Sequence, residues 1–113
     1  MAIKEIIKNS VAILELRGSL MGGPDSTALH DKVHSLINDG IKQVVIDLAK
    51  VKWMNSSGLG ALMACLTTLR NAEGELKLAN ATKKIESLLL ITKLITVFET
   101  YGSVDRAVAT FRK

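Results

Sequence analysis

Residues 2–7 (AIKEII) and 10–18 (SVAILELRG) are aliphatic runs, the second with Ala12, Leu14 and Leu16 at every other position. Alternate residues of a strand share one face, so the pattern predicts two strands joined near Lys8 and Asn9. MGGP breaks the chain. DSTALHDKVHSLINDG then changes to helical spacing, with Leu29, Val33, Leu36 and Ile37 on one face. Asp25 or Ser26 is placed to cap that helix and Gly40 to close it. KQVVIDLAKV is a β-branched run short enough to be a buried strand. A helix is predicted from about Ser56 to Asn71, then a short strand (ELKLAN), a helix (ATKKIESLLLIT) and a strand (ITVFET). The last segment, SVDRAVATFRK, predicts a helix with Val104, Ala107, Val108 and Phe111 on one face. Two strands followed by helix–strand units give an α/β fold. The expected sheet is mixed, of four to five strands, part of it parallel, packed with about four helices.

The helix at 56–71 departs from the usual amphipathic pattern. WMNSSGLGALMACLTTL, residues 53–69, contains no charged side chain. Leu59, Leu62, Met63, Leu66 and Leu69 recur at intervals of three and four and are expected to face the sheet. At 100° per residue the other side falls on Ser57, Ala61, Ala64 and Thr68. A face meant only for water more often carries Lys or Glu, which cost little helix propensity. A strip of small, neutral residues lets another backbone approach closely. Gly58 and Gly60 add to this, each costing about 0.5–1 kcal/mol relative to Ala in a helix. Close approach by a partner, or packing under the preceding loop, would offset that cost. One of Ser56 and Ser57 can cap the helix, leaving the other hydroxyl free. At a helix N-terminus, negative charge is favoured by roughly 0.3–1 kcal/mol, so a phosphate there would be tolerated.

Composition narrows the function classes. At 113 residues, 48% hydrophobic and 23% charged, the chain is expected to form one globular domain over 1–113. The uncharged stretch is too short for a membrane span and is interrupted by Asn55, Ser56, Ser57, Gly58 and Gly60. The N-terminal residues carry lysines and a glutamate where a signal peptide needs an apolar core. Cys65 is a single cysteine with no intrachain partner. These features point to the cytoplasm, with no membrane insertion. The net charge of +4 raises nucleic acid as a partner. The basic residues are scattered, however, and Trp53, Phe98, Tyr101 and Phe111 do not interleave with them as base stacking requires. A solvated basic surface, with no nucleic-acid partner, is expected.

Enzyme and cofactor signals are weak. His30 and His34 share a helix at zinc-binding spacing but lack an evident third ligand. GLG after a strand has neither the third glycine of a dinucleotide loop nor the lysine of a P-loop. A serine nucleophile at Ser56 or Ser57 would need a positioned base, and both histidines lie on another helix. No catalytic residue, metal or cofactor is therefore assigned, and a small nucleotide-binding or hydrolytic enzyme remains the weaker alternative.

The residues VVIDLAKVKWMNSSGLGALMACL, together with RGSL after the second strand and the element order, resemble the STAS-domain anti-sigma-factor antagonists. The resemblance covers nearly the whole chain and implies a single STAS-like domain. It also implies phosphorylation-controlled partner switching. The unphosphorylated form would bind an anti-sigma factor that is also a serine kinase, freeing a sigma factor. Phosphorylation of Ser56, with Ser57 as second candidate, would end the binding, and a serine phosphatase would reset it. The implied partner surface comprises Asn55, Ser56, Ser57, Gly58, Gly60, Ala61, Ala64 and Met21. Two positions depart from the family pattern: Asn55 stands where Asp is usual, and Met21 where an acidic residue is frequent. Loss of those charges keeps a second possibility open, a constitutive STAS subunit of a transport or signalling complex.

Overall fold

The computed structural model describes residues 1–111. Five strands form one mixed sheet in the order β1-β2-β3-β4-β5. β1 (Ala2–Lys8) runs antiparallel to β2 (Val11–Leu20). Their two-residue turn places Asn9 and Ser10 at φ 54° and 65°. Both lie in the left-handed region that matches the twist of a tight hairpin, and Asn tolerates it well. β3 (Gln43–Met54), β4 (Glu75–Ala79) and β5 (Glu99–Tyr101) follow in parallel.

Helices α1 (Pro24–Asn38), α2 (Ser56–Asn71) and α3 (Lys83–Ile91) connect the parallel strands. They share the larger core with alternate residues of the sheet: Leu14 and Leu16 on β2, Val44, Ile46 and Leu48 on β3, Leu76 and Leu78 on β4. The intervening Val11, Ile13, Val45 and Ala79 form a smaller core with Ala107 and Val108 of α4 (Val104–Ala109) on the other face. Period two in the sequence thus becomes two cores divided by one sheet. The expected α/β class, strand number and helix number agree with this architecture.

Three local expectations are corrected. ITVFET is not a continuous strand: Leu94–Thr96 form a 3-10 turn, and only Glu99–Tyr101 pair with β4. Leu94, Ile95 and Val97 pack against the larger core, which Phe98 enters fully. Side-chain burial there overrides β-branched propensity. α1 begins slightly earlier than expected: Gly23 is the N-cap, Pro24 opens the helix, and neither Asp25 nor Ser26 caps it. Proline suits that position because its missing N–H would have had no intrahelical partner. α4 ends at Ala109, and the last two residues of the expected final helix, 112 and 113, lie outside the described residues.

Register explains where the chemistry collects. β3 pairs with β4 only as far as Asp47↔Ala79, but continues beside β2 to Leu20↔Met54. This extension carries the start of α2 to the end of β2 and the MGGP loop.

Candidate functional site

Asn55 caps α2, and neither serine does. Its side-chain oxygen accepts a hydrogen bond from the Gly58 N–H at 2.8 Å. Its Nδ2 donates to the Met21 carbonyl at 3.0 Å, and its backbone N–H donates to the Leu20 carbonyl at 3.3 Å. A carboxylate could make the first of these side-chain bonds but not the second, having no proton to donate. The departure to Asn at position 55 is thus matched by a bond to the backbone of position 21. We expect Asn55→Ala to cost about 1–2 kcal/mol through loss of the cap, measurable by denaturant unfolding. Asn55→Asp, which keeps the cap, should stay within about 1 kcal/mol of the parent.

The two glycines of SGLG have different reasons. Gly58 is buried, and a Cβ there would overlap the carbonyl of Leu20, so glycine lets the end of β2 lie against the helix. Gly60 is exposed, with no neighbouring atom within 4 Å of a Cβ built on it. Nothing within the described chain requires glycine at 60. On the loop side, a Cβ at Gly22 would lie 2.6 Å from Ser57 Cβ. The loop therefore sits against Ser57, while Ser56 and Ser57 both remain exposed in the first helical turn.

The outer face of α2 is rotated from the expected one. Gly58, Leu59, Ala61, Leu62, Cys65, Leu66 and Leu69 are buried. At 100° per residue they cover an arc of about 160°, because α2 packs on the sheet and also against α1. Two residues proposed for a partner surface, Gly58 and Ala61, are therefore buried inside the chain. The close backbone approach that small residues permit at Ala61 is made by α1. A shallow groove of about 340 Å³ along this seam is lined by Ser26, Thr27, His30, Asp31, Ala61 and Ala64. Met63, assigned by spacing to the sheet, is half-exposed. Ser56, Ser57, Gly60, Ala64 and Thr67 make up the exposed, uncharged face, with Met21 exposed nearby on the loop.

His30 and His34 contact each other edge to face at 4.4 Å, and His30 Nε2 lies 3.5 Å from Thr68 Oγ1. That places His30 beside the third helical turn beyond the serines, not at either hydroxyl. Among the described residues no group of three His, Cys, Asp or Glu side chains could hold a metal. Cys65 is fully buried, and burial pushes its thiol up to about 12. A thiol reagent at pH about 8 should leave it unmodified in the folded protein and react once denaturant exposes it. Labelling without unfolding would contradict its packing role.

The strand, capped helix start and SSGLG turn coincide with a match of residues 2–107 to the STAS domain family. The chain belongs to that family. BtrV of Bordetella bronchiseptica, named as an anti-sigma factor antagonist, is 23% identical over 93 residues, spanning 82% of this chain and 80% of BtrV. A Thermotoga maritima protein also named as an anti-sigma factor antagonist superposes with a TM-score of 0.89 at 21% identity, over 98% of this chain and 95% of that one. Bacillus SpoIIAA in its phosphorylated form gives 0.76 at 17% identity, over 98% of this chain and all of its own. A sulfate transporter family protein of Wolinella succinogenes gives 0.73 at 15%, over 93% of this chain and 87% of that one. At these identities the structural likeness is one of STAS fold. No helix among the described residues is long and apolar enough to cross a membrane.

Sequence spacing missed a second exposed region. Trp53 is 42% exposed and lines a groove with Lys83 and Lys84 of α3, which in turn share a neighbouring groove with Lys50 and Lys52 of β3. Lys50/Lys52 and Lys83/Lys84 lie more than 30 residues apart in the chain, so only the parallel register brings the two pairs together.

Proposed function

We propose that this STAS chain is an anti-sigma-factor antagonist acting in the cytoplasm as a non-enzymatic, phosphorylation-controlled switch, with Ser56 as phosphoacceptor. One observation carries the reading: Asn55 performs the cap, so Ser56 is an exposed hydroxyl in the first helical turn with no structural task. Gly60 supports it, since it keeps the next turn of the same face bare without any intrachain reason. Ser57, the second candidate, is flanked by the Gly22 loop and offers less room to a kinase.

In this reading the unphosphorylated surface of Met21, Asn55, Ser56, Ser57, Gly60 and Ala64 docks an anti-sigma factor that is also a serine kinase, and sigma is released. A phosphate on Ser56 adds about −1.5 to −2 charge at the helix N-terminus. The helix dipole favours it there by roughly 0.3–1 kcal/mol, so the fold accommodates the group. A closely packed partner must instead desolvate or repel it, which ends the complex. A serine phosphatase restores the binding form. The names of BtrV and the Thermotoga protein, and the phosphorylated state of SpoIIAA, are consistent with this assignment.

The test is phosphosite mapping by tandem mass spectrometry on the chain recovered from its own host. The proposal expects phosphate on Ser56. Phosphate confined to another residue would overturn the site, and a chain unmodified under all growth conditions would favour a second reading. That reading, a constitutive STAS subunit of a transport or signalling complex, is favoured by Asn55 and Met21 in place of acidic residues and by the likeness to the Wolinella transporter family protein.

A further inference from the structure

Among the described residues, the outer edge of β3 beyond Asp47 has no partner strand, because β4 stops at Ala79. The start of α3 lies beside that open edge. A groove of about 730 Å³ there is lined by Lys50, Lys52, Thr82, Lys83 and Lys84, together with Ala49 and Val51. A second groove, of about 340 Å³, shares Lys83 and Lys84 and continues over Trp53, Leu88 and Ile91. Trp53 is 42% and Ile91 79% exposed, so the floor of this surface is apolar and open. No carboxylate lines either groove. Lys50 is held by Glu15 at 3.1 Å, whereas Lys52, Lys83 and Lys84 make no ion pair among the described residues. Lys83 and Lys84 also open α3, the end of a helix where positive charge is disfavoured.

We infer that this surface docks an acidic segment of a partner protein, one whose carboxylates meet Lys52, Lys83 and Lys84 while an apolar side chain enters the Trp53–Leu88–Ile91 groove. The charge match supplies orientation and rate of encounter, and the tryptophan supplies the buried anchor. A nucleic-acid strand fits less well, since Trp53 is the only aromatic ring lining either groove and successive bases would have nothing further to stack on. A bilayer fits less well because α3 has 9 residues and exposes only Leu90 and Ile91 of its larger apolar side chains, a small area beside the long apolar face by which interfacial helices bind lipid. Trp53 precedes Ser56 by three residues, at most roughly 10 Å of chain. One partner could therefore span both surfaces, but the acidic-segment site does not depend on Ser56 being phosphorylated.

Trp53 is the only tryptophan in the chain, so its fluorescence reports directly on the groove. The experiment titrates the whole chain with a panel of synthetic peptides, Glu and Asp around Leu and Phe at varied spacings. Their Gln and Asn counterparts, anionic phospholipid vesicles and single-stranded DNA are titrated in parallel. The expected result is a saturable blue shift with acidic peptides, weakened about tenfold or more in the neutral counterparts and in Lys83→Glu/Lys84→Glu. Acidic residues suit a helix N-terminus, so that double variant should fold, and its melting curve is recorded alongside; Lys83→Gln/Lys84→Gln serves if it does not. No shift with any peptide, equal shifts with neutral counterparts, or unchanged affinity in the folded lysine variant would overturn the proposal. So would a tighter response to vesicles or to DNA, which would reassign the surface to a membrane or to nucleic acid.

Discussion

Gly58→Ala is expected to destabilise the protein by about 3 kcal/mol, while Gly60→Ala, two residues away, should stabilise it by about 0.5–1 kcal/mol. The first substitution drives a methyl group into the Leu20 carbonyl, which belongs to backbone fixed at the end of β2 and also accepts the Asn55 N–H. Neither side can move without loosening the cap or the strand end, so the cost belongs to the overpacked class. The second adds a methyl in open space and removes the helix penalty of glycine. Denaturant unfolding of both variants gives the contrast directly. If Gly60→Ala is the stabler protein yet binds its partner more weakly, glycine at 60 serves contact rather than folding. Equal losses of stability from both substitutions would remove that distinction.

Ser56→Asp is expected to leave the melting temperature nearly unchanged and to weaken partner binding on the order of 100-fold, equivalent to about 3 kcal/mol. The fold tolerates the charge because it lies at the N-terminus of α2, where the cap is supplied by Asn55. The complex does not tolerate it, because a charge enclosed in a close contact needs a partner of its own. Ala64→Arg should act in the same direction, since Ala64 is exposed on the same uncharged face. Ala61→Arg is not an equivalent test. Ala61 is buried in the seam with α1, and arginine there should reduce stability before any effect on binding can be read. Calorimetric titration against the partner, with melting curves beside it, separates these outcomes.

Several parts of this arrangement were legible in the sequence because they follow from local rules. The bounds of α2 came directly from the SSGLG start and the end of helical spacing near Asn71. The alternation of Ala12, Leu14 and Leu16 gave the core face of β2 without knowledge of its neighbours. Other features depend on long-range packing. The arc buried by α2 is set by α1 as well as by the sheet, so Ala61 and Met63 exchanged roles relative to a single-stripe reading. A serine is the expected cap of α2, but Asn55 takes that role, because its Oδ1 reaches the Gly58 N–H while its Nδ2 is held by the Met21 carbonyl, which is distant in sequence. The segment after α3 contains strand-forming residues, yet its side chains fill the core beside Phe98 in an irregular path. The lysine-rimmed groove is invisible to any local window, since β3 and α3 meet only through the sheet order.

The central claim is that a charge at position 56 switches a partner off without disturbing the fold. Affinity capture from the native host's lysate tests it most directly, with the wild-type chain and Ser56→Asp as baits and captured proteins identified by mass spectrometry. The account predicts a serine-kinase-like regulator held by the wild type and lost by the aspartate variant. Capture of the same proteins, such as transporter or signalling subunits, in equal amounts by both baits would contradict it.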